Sequence, residues 1–364
     1  MVTEFAKAAV LPGPSGLGTS AARLLAKVET PEPAAPDPAY VERSWGDGSF
    51  KPMYVPIAER VDPALAEVVD DRVGAWALEC GFKPDEAELM RKAGFGRLAM
   101  LTHVDTNDPE QLLIAAKLNA AWWAADDLYA DDSERGATPT ALPPRLALVM
   151  AAMDPVAPAG EFSLELDNAL RGDPVLIALR AGIDHLGARS TPSVVQRVNY
   201  STFAMFVSWD AYAAWRYTGD YPPAWEYLAA RQHDSFYTSM TLIDAVGGYE
   251  LTANLYYEPH VRKLMMQAGT ASVMVNDLFS VAKDAADETP VCNMVLQIAA
   301  DRNIPVEEAT EITVDLHNQL VRDFEEGHRN LLGVPSPELQ RFLKGLRAWM
   351  GGGFEWHATN PRYQ

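Results

Sequence analysis

The sequence predicts an all-α protein whose helices pack as one domain of about 310 residues around a shared centre. Three observations predict it. From Asp62 onward, apolar residues recur at the three- and four-residue spacing of a helix. Proline recurs where those periods begin and glycine where they end, the asymmetry expected of helix termini. Alternating apolar and polar runs of the β type are nearly absent, and no internal repeat is apparent.

Residues 1–50 stand apart from the rest. Pro12, Gly13, Pro14, Gly16 and Gly18 precede the PEPAAPDP run of Pro31–Pro38. A segment of this composition buries too little to order itself, so 1–50 reads as a mobile leader, with a short helix near Ala21–Val28 and some order near Trp45–Phe50. Residues 51–364 form the helical domain.

Asp62 caps a helix that takes Pro63 at its first position and runs to Cys80–Gly81. A shorter helix opens near Pro84–Asp85 and stops before Gly94. Asp108–Pro109 opens one that carries Leu112, Leu113, Ala116, Ala120 and Trp123 to Asp127. Asp173–Pro174 opens the next, with Val175, Leu176, Leu179 and Ile183 as its apolar face. Ser193 starts a helix bearing Phe203, Phe206, Trp209 and Trp215, and Pro222–Pro223 starts another that ends at Gly247–Gly248. One helix covers Glu258–Asp284, Pro305 opens Val306–Phe324, and Pro337 opens Glu338–Met350. Roughly ten to twelve helices are expected in all.

The chain has 364 residues, 48% of them hydrophobic, and a formal net charge of −20. So acidic a surface argues against a general nucleic-acid binder and against adhesion to anionic membranes. It leaves room for an anionic substrate where metal ions and a few arginines reverse the field locally. The two cysteines, Cys80 and Cys292, lie far apart in apolar contexts and read as buried free thiols of a reducing compartment, the cytoplasm. The first residues, MVTEFAKAAVLPG, lack the features of a signal peptide, and no apolar run reaches membrane-spanning length.

The chemistry starts from Val273–Asp284, VMVNDLFSVAKD. On a helix, Asn276, Ser280 and Asp284 drift only about 80° around the axis and rise about 6 Å per step. An amide carbonyl, a hydroxyl and a carboxylate on one stripe are hard oxygen donors that suit Mg²⁺ better than zinc or copper. Val275, Leu278, Phe279 and Val281 bury the rest of the helix, so the stripe faces a cavity, a partner or solvent. A second acidic group, DDLYADD at Asp126–Asp132, ends the Asp108 helix behind the buried run Leu118–Ala125. Carboxylates crowded at a helix C-terminus repel one another and the helix dipole, and either solvent or divalent cations must compensate. Arg231, in EYLAARQHDSF, sits in an otherwise apolar helix and is placed either for a salt bridge or for a phosphate, which its planar fork fits.

Together these groups resemble the class I terpene synthases. Asp126 and Asp127, with Asp131 or Asp132, match the acidic DDxxxD-type motif of that family. Asn276, Asp277, Ser280 and Asp284 match its NDxxSxxxE/D motif, with Asp in place of Glu at the last ligand. The resemblance implies the single-domain α-bundle of the class I terpenoid synthases around a central apolar cavity. It implies that Arg231 senses diphosphate, that Asp234 and Ser235 occupy the linker and effector positions, and that Lys283, Arg362 and Tyr363 add donors to the phosphates. It further implies that Asp126, Asp127, Asp131 or Asp132, Asn276, Ser280 and Asp284 hold a cluster of three Mg²⁺ ions, and that the chain forms a homodimer.

FGRLAMLTHVDTNDPEQLLIAAK, TGDYPPAWEYL, IDAVGGYEL, AGTASVMVNDLFS and the ending EWHATNPRY resemble, more closely, the bacterial 2-methylisoborneol synthases. This resemblance runs from about Met53 to Tyr363. It implies Mg²⁺-dependent ionisation of 2-methylgeranyl diphosphate to an allylic cation, ring closure to a bornyl-type cation and quenching by water. Proton loss to a 2-methylenebornane-type olefin, or a sesquiterpene or diterpene substrate, remains open. No nucleophilic residue is needed, in keeping with the absence of a Ser-His-Asp or Cys-His signature; the seven histidines are scattered and His103 reads as structural. Aromatic faces stabilise cations without acting as bases, and Trp122, Phe203, Phe206, Trp209, Phe236, Phe279 and Trp356 are the candidates for the wall. Prenyl-chain elongation on the same fold shows two Asp-rich motifs, against the single one here. A helical scaffold without activity would not require Asn276, Ser280 and Asp284 in register with Arg231 and Arg362.

Overall fold

The structure is a computed structural model that describes residues 39–130, 137–220, 222–234, 236–286 and 292–360. Strands β1 (Tyr40–Arg43) and β2 (Met53–Pro56) open it. There follow α1 (Pro63–Glu79), α2 (Pro84–Ala93), α3 (Phe95–Thr102) and α4 (Pro109–Ala125), which runs into a π-helical turn at Asp126–Ala130. Next come α5 (Leu142–Met153), α6 (Glu161–Arg171), α7 (Pro174–Gly187) and α8 (Pro192–Thr218). Four short helices, α9 (Ala224–Arg231), α10 (Phe236–Met240), α11 (Ile243–Val246) and α12 (Ala253–Tyr256), lead to the long α13 (Pro259–Ala285). Helices α14 (Met294–Arg302), α15 (Val306–Leu331) and α16 (Pro337–Thr359) complete it.

Capping sets the starts. The side chains of Asp62, Asp108 and Asp173 accept from backbone N–H groups of the first turns of α1, α4 and α7, each with proline directly after the cap. Helix α4 is apolar nearly all round, from Leu112 to Ala125, and is sheathed by α1, α3 and α7. Helix α13 packs on α15 and α16, and α16 on α3. Among the described residues no helix is long and apolar enough to cross a membrane.

Several elements differ from the sequence expectation, each for a physical reason. Residues 39–50, read as part of the leader, carry β1 and the turn of a hairpin whose register pairs Tyr40 with Pro56 and Arg43 with Met53. Cross-strand stacking of Tyr40 on Tyr54 at 5.4 Å and burial of Trp45 supply what composition did not promise. The hairpin is tied to the C-terminal helices: Tyr54 Oη donates to Glu325 Oε2 at 2.7 Å, and Arg43 pairs with Glu355 at 3.1 Å. Residues 1–38 lie outside the described residues.

The single helix expected over 222–248 is broken into α9, α10 and α11. Thr238 and Thr241 donate their hydroxyls to the carbonyls of His233 and Thr238, at 3.2 and 2.6 Å, in competition with continuous helix. Helix α15 continues past Phe324 to Leu331, and α16 continues past Met350 through Gly351, Gly352 and Gly353 to Thr359. Those glycines permit contact where a stop was read. A Cβ at Gly351 would lie 2.7 Å from the carbonyl oxygen of Pro56, and one at Gly352 would collide with the carbonyl of Leu101. Helices α3, α5, α6, α12 and α14 carried no signal strong enough to be read.

Two buried histidines away from the polar stripe make stability sensitive to acid. Burial pushes His103 down to about 3, helped by the Arg60 charge, and His317 to about 4 against a hydrogen bond to Asn318. Both folded values lie below the unfolded value of about 6.5, so between these limits the unfolded chain binds more protons. Stability is therefore complete above about pH 6.5 and is lost as pH falls toward 4, by about 1.4 kcal/mol per pH unit for each histidine. Urea midpoints measured from pH 7 to 5 are expected to fall, and the fall should be shallower in His317→Gln. An equal slope in the variant would refute the assignment.

Candidate active site

Helix α13 turns Asn276, Ser280, Lys283 and Asp284 toward a cavity of about 250 Å³, whose lining also includes Asp126, Arg216, Arg231 and Asp234. The stripe is braced before any ligand arrives. Ser280 Oγ donates to Asp284 Oδ2 at 2.6 Å. Asn293, the cap of α14, brings its amide nitrogen within 3.2 Å of Ser280 Oγ and 2.9 Å of Asp284 Oδ2. The hydroxyl proton is thus directed at the carboxylate and the Asn293 amide takes one lone pair, which leaves the other lone pair of the oxygen for a cation.

Arg231, the last residue of α9, is held between carboxylates. Its guanidinium donates to Asp234 Oδ2, to Asp277 Oδ1 at 2.7 Å and to Asn276 Oδ1 at 3.1 Å. Burial opposes its charge, yet Asp277 and Asp234 outweigh burial and its pKa is raised. Asp277 is buried at the centre of this cluster. It also accepts from Tyr227 Oη at 2.8 Å and from the Met294 amide at 2.9 Å. Burial raises its pKa, and Arg231 opposes the rise.

His357 fixes the orientation of Asn276. Its Nδ1 lies 2.7 Å from the Gly353 carbonyl, so that nitrogen carries the proton and Nε2 accepts from Asn276 Nδ2 at 3.3 Å. The amide oxygen of Asn276 is thereby turned to Arg231 and the cavity, a second layer that orients a ligand. Burial lowers His357 to about 4 and keeps it neutral.

The facing wall ends in the π-helical turn that carries DDLYA. Asp126 lines the cavity, whereas Asp127 is exposed and outside the lining. The π turn is anchored by Tyr129, whose hydroxyl donates to Asp173, and by Arg216 Nη1, which donates to the Ala130 carbonyl at 2.8 Å. The apolar walls are aromatic. Phe95, Trp123 and Trp356 form an edge-to-face run at 4.9 and 6.0 Å, and Phe236 meets His357 at 5.5 Å.

The structure therefore brings together Asp126, Arg231, Asp234, Asn276, Ser280, Lys283 and Asp284. Asp131, Asp132, Ser235, Arg362 and Tyr363 lie outside the described residues. Of the aromatic candidates, Trp122, Trp209, Phe236, Phe279 and Trp356 line the cavity; Phe203 and Phe206 pack behind Trp209 instead. Sequence reading missed Asp277 as the partner of Arg231, and Asn293, His357, Arg216, Phe95 and Trp123. Asp277 was within its reach, since it lies inside the motif; the others arrive from distant elements.

Among the described residues no group of three or more His, Cys, Asp or Glu side chains offers a metal site. The oxygen set of Asn276, Ser280 and Asp284, on a cavity that Asp126 also lines, is of the kind that fits a hard divalent cation. Such a rim of cation ligands and arginine over an aromatic cavity can bind a diphosphate at its mouth and shelter an apolar cation below.

Comparison with known proteins agrees with this chemistry. The family described as terpene synthase family 2, C-terminal metal binding, matches residues 117–323. The chain is 34% identical over 361 residues to the 2-methylisoborneol synthase of Streptomyces ambofaciens, covering 96% of this chain and 80% of the relative. It is 34% identical to that of Streptomyces griseus, covering 96% and 79%. The crystal structure of 2-methylisoborneol synthase from Streptomyces coelicolor A3(2), in complex with Mg²⁺ and 2-fluoroneryl diphosphate, superposes with a TM-score of 0.79. That match is at 30% identity and covers 91% of this chain and 98% of the other.

Proposed function

The chain belongs to the terpene synthase family, and from that premise we propose that it ionises 2-methylgeranyl diphosphate and cyclises it to 2-methylisoborneol, releasing diphosphate. The observation that carries the reading is one cavity whose lining includes Asn276, Ser280, Asp284, Asp126 and Arg231. A cavity of about 250 Å³ lies just below the usual range of ligand pockets, which starts at about 300 Å³, and favours a short prenyl chain over a long one.

The donor set fits Mg²⁺. Asn276, Ser280 and Asp284 would hold it on one wall and Asp126 on the other, and when bound it supplies neutralising charge to the leaving diphosphate. Arg231 Nε, buried and without a hydrogen-bond partner, is the donor left for a phosphate oxygen. Lys283 and Arg216 add positive charge at the mouth. Arg231 is already fixed by Asp234 and Asp277, so little reorganisation is needed as the C–O bond breaks. Below the rim, Trp356, Phe279 and Trp209 exclude water and present ring faces to the cation. In the same proposal Asp131 or Asp132, Arg362 and Tyr363 complete the rim. The enzyme is cytoplasmic, in keeping with its free cysteines, and homodimeric, with Tyr200 and Val207 exposed two turns apart on α8.

The test is a product assay. Purified protein is incubated with Mg²⁺ and, separately, geranyl, 2-methylgeranyl and farnesyl diphosphate, and volatiles are identified by mass spectrometry. A C11 tertiary alcohol from the methylated substrate is expected. A C15 product alone would overturn the substrate assignment, and no diphosphate release from any of the three would overturn the activity.

A further inference from the structure

The cavity holds a second polar group, separate from the ionic rim. Asn119 and Trp122 lie one turn apart on α4, and both line the cavity. Asn119 precedes Asp126 by about two turns, or about 10 Å of helix, so the group sits well below the rim. Ser239, from α10, donates its hydroxyl to Asn119 Oδ1 at 2.5 Å. Asn119 Nδ2 donates to the Ala115 carbonyl at 2.8 Å. An amide has two N–H donors and two oxygen lone pairs, so Asn119 retains one of each. Trp122 is 4% exposed, and its indole N–H is buried without a hydrogen-bond partner. A buried unpaired N–H is costly unless something meets it.

We propose that Asn119, Trp122 and Ser239 form the seat of the water that quenches the bornyl-type cation, and so select alcohol over olefin; this rests on the reading of the reaction given above. A buried water needs about two to four polar partners. The indole N–H of Trp122 donates to the water oxygen, and the water donates one hydrogen to Asn119 Oδ1. That leaves a water lone pair directed into the apolar part of the cavity. The C–O bond forms when this lone pair fills the empty orbital of the tertiary carbon. One O–H bond then breaks, and its proton ends on the diphosphate released in the first step. With no water seated there, the cation instead gives up a proton from carbon and leaves as the olefin.

The test reads the ratio of C11 alcohol to C11 olefin made from 2-methylgeranyl diphosphate. This ratio does not depend on how much of a variant folds. Trp122→Phe keeps the ring and removes only the N–H; Asn119→Leu and Ser239→Ala remove the other partners. In Trp122→Phe and Asn119→Leu the ratio is expected to fall by about tenfold, the effect of losing one hydrogen bond of about 1.4 kcal/mol. A smaller fall in the same direction is expected for Ser239→Ala. A ratio within about twofold of the parent in both Trp122→Phe and Asn119→Leu would overturn the proposal. So would variants that make no C11 product at all, because the group would then serve ionisation. A parent enzyme that makes no C11 product overturns the reading of the reaction itself, and the two failures are distinct.

Discussion

Asn276→Ala is expected to lower diphosphate release by about a thousandfold or more while leaving the helical circular dichroism unchanged. Three interactions make the effect large. The amide oxygen is a member of the hard-oxygen stripe with Ser280 and Asp284. It accepts from Arg231 at 3.1 Å, and its nitrogen is held by His357 at 3.3 Å. Removing the amide deletes a proposed cation ligand and also unties Arg231 from α13. Each matters more in the transition state, where negative charge gathers on the leaving diphosphate, than in the substrate. Folding is spared because Asn276 faces the cavity, and a small residue there leaves the packing of α13 on α15 and α16 in place. The measurement is initial rate against Mg²⁺ concentration. A variant that retained a tenth or more of the parent rate, at any Mg²⁺ level, would remove Asn276 from the ligand set.

Asp277→Ala is expected to destabilise the protein by about 3–5 kcal/mol as well as to inactivate it. Asp277 is buried and accepts from Arg231, Tyr227 and the Met294 amide at once. Truncation strands the Arg231 guanidinium, whose side chain is 12% exposed, with one carboxylate fewer. It also leaves the Met294 backbone N–H without its acceptor and the Tyr227 hydroxyl with only the Cys292 carbonyl, at 3.3 Å. A pair of charges taken out of water contributes little net stability, but breaking it leaves an uncompensated charge, and that asymmetry sets the size of the loss. The double variant Arg231→Met/Asp277→Leu should therefore recover much of the stability and none of the activity. Urea unfolding of both variants decides the matter. A loss below about 1 kcal/mol in the single variant would show that solvent reaches this cluster.

What could be read in advance was whatever depends on local periodicity. The spacing of Asn276, Ser280 and Asp284 places them on one stripe because a helix turn is fixed at about 3.6 residues. The caps at Asp62, Asp108 and Asp173 were legible for the same local reason. Residues that act across elements were not legible. Asn293, His357 and Arg216 reach the rim from α14, α16 and α8, and nothing in their own neighbourhoods marks them. The acidic motif gave a mixed result. The motif match put Asp126 and Asp127 side by side as ligands, but the backbone there is a π-helical turn, which advances fewer degrees per residue; Asp126 lines the cavity and Asp127 is exposed outside it. Gly351–Gly353 misled because a glycine run signals both a helix stop and a place where backbones touch. Here the touching of Pro56 and Leu101 decides, and the extra turns carry Trp356 and His357 to the site.

The hairpin at 40–56 ties the order of synthesis to the completion of the site. Its bonds to Asn318, Glu325 and Glu355 span 264, 271 and 312 residues. At about 5–20 residues per second, a ribosome delivers those partners roughly 15–60 s after the strands have emerged. Throughout that interval Tyr40, Trp45 and Met53 have no surface to cover them, and the strand edges are open to other nascent chains. Trp45 finally packs at 5.7 Å against Phe279, on the helix that bears Asn276 and Ser280. Residues 40–56 leave the ribosome early and are thus among the last to dock, and the outer support of α13 closes only when α16 is finished. A chain that terminates early, before α16, is left with an uncovered β-ribbon and is a natural client for chaperones and proteases.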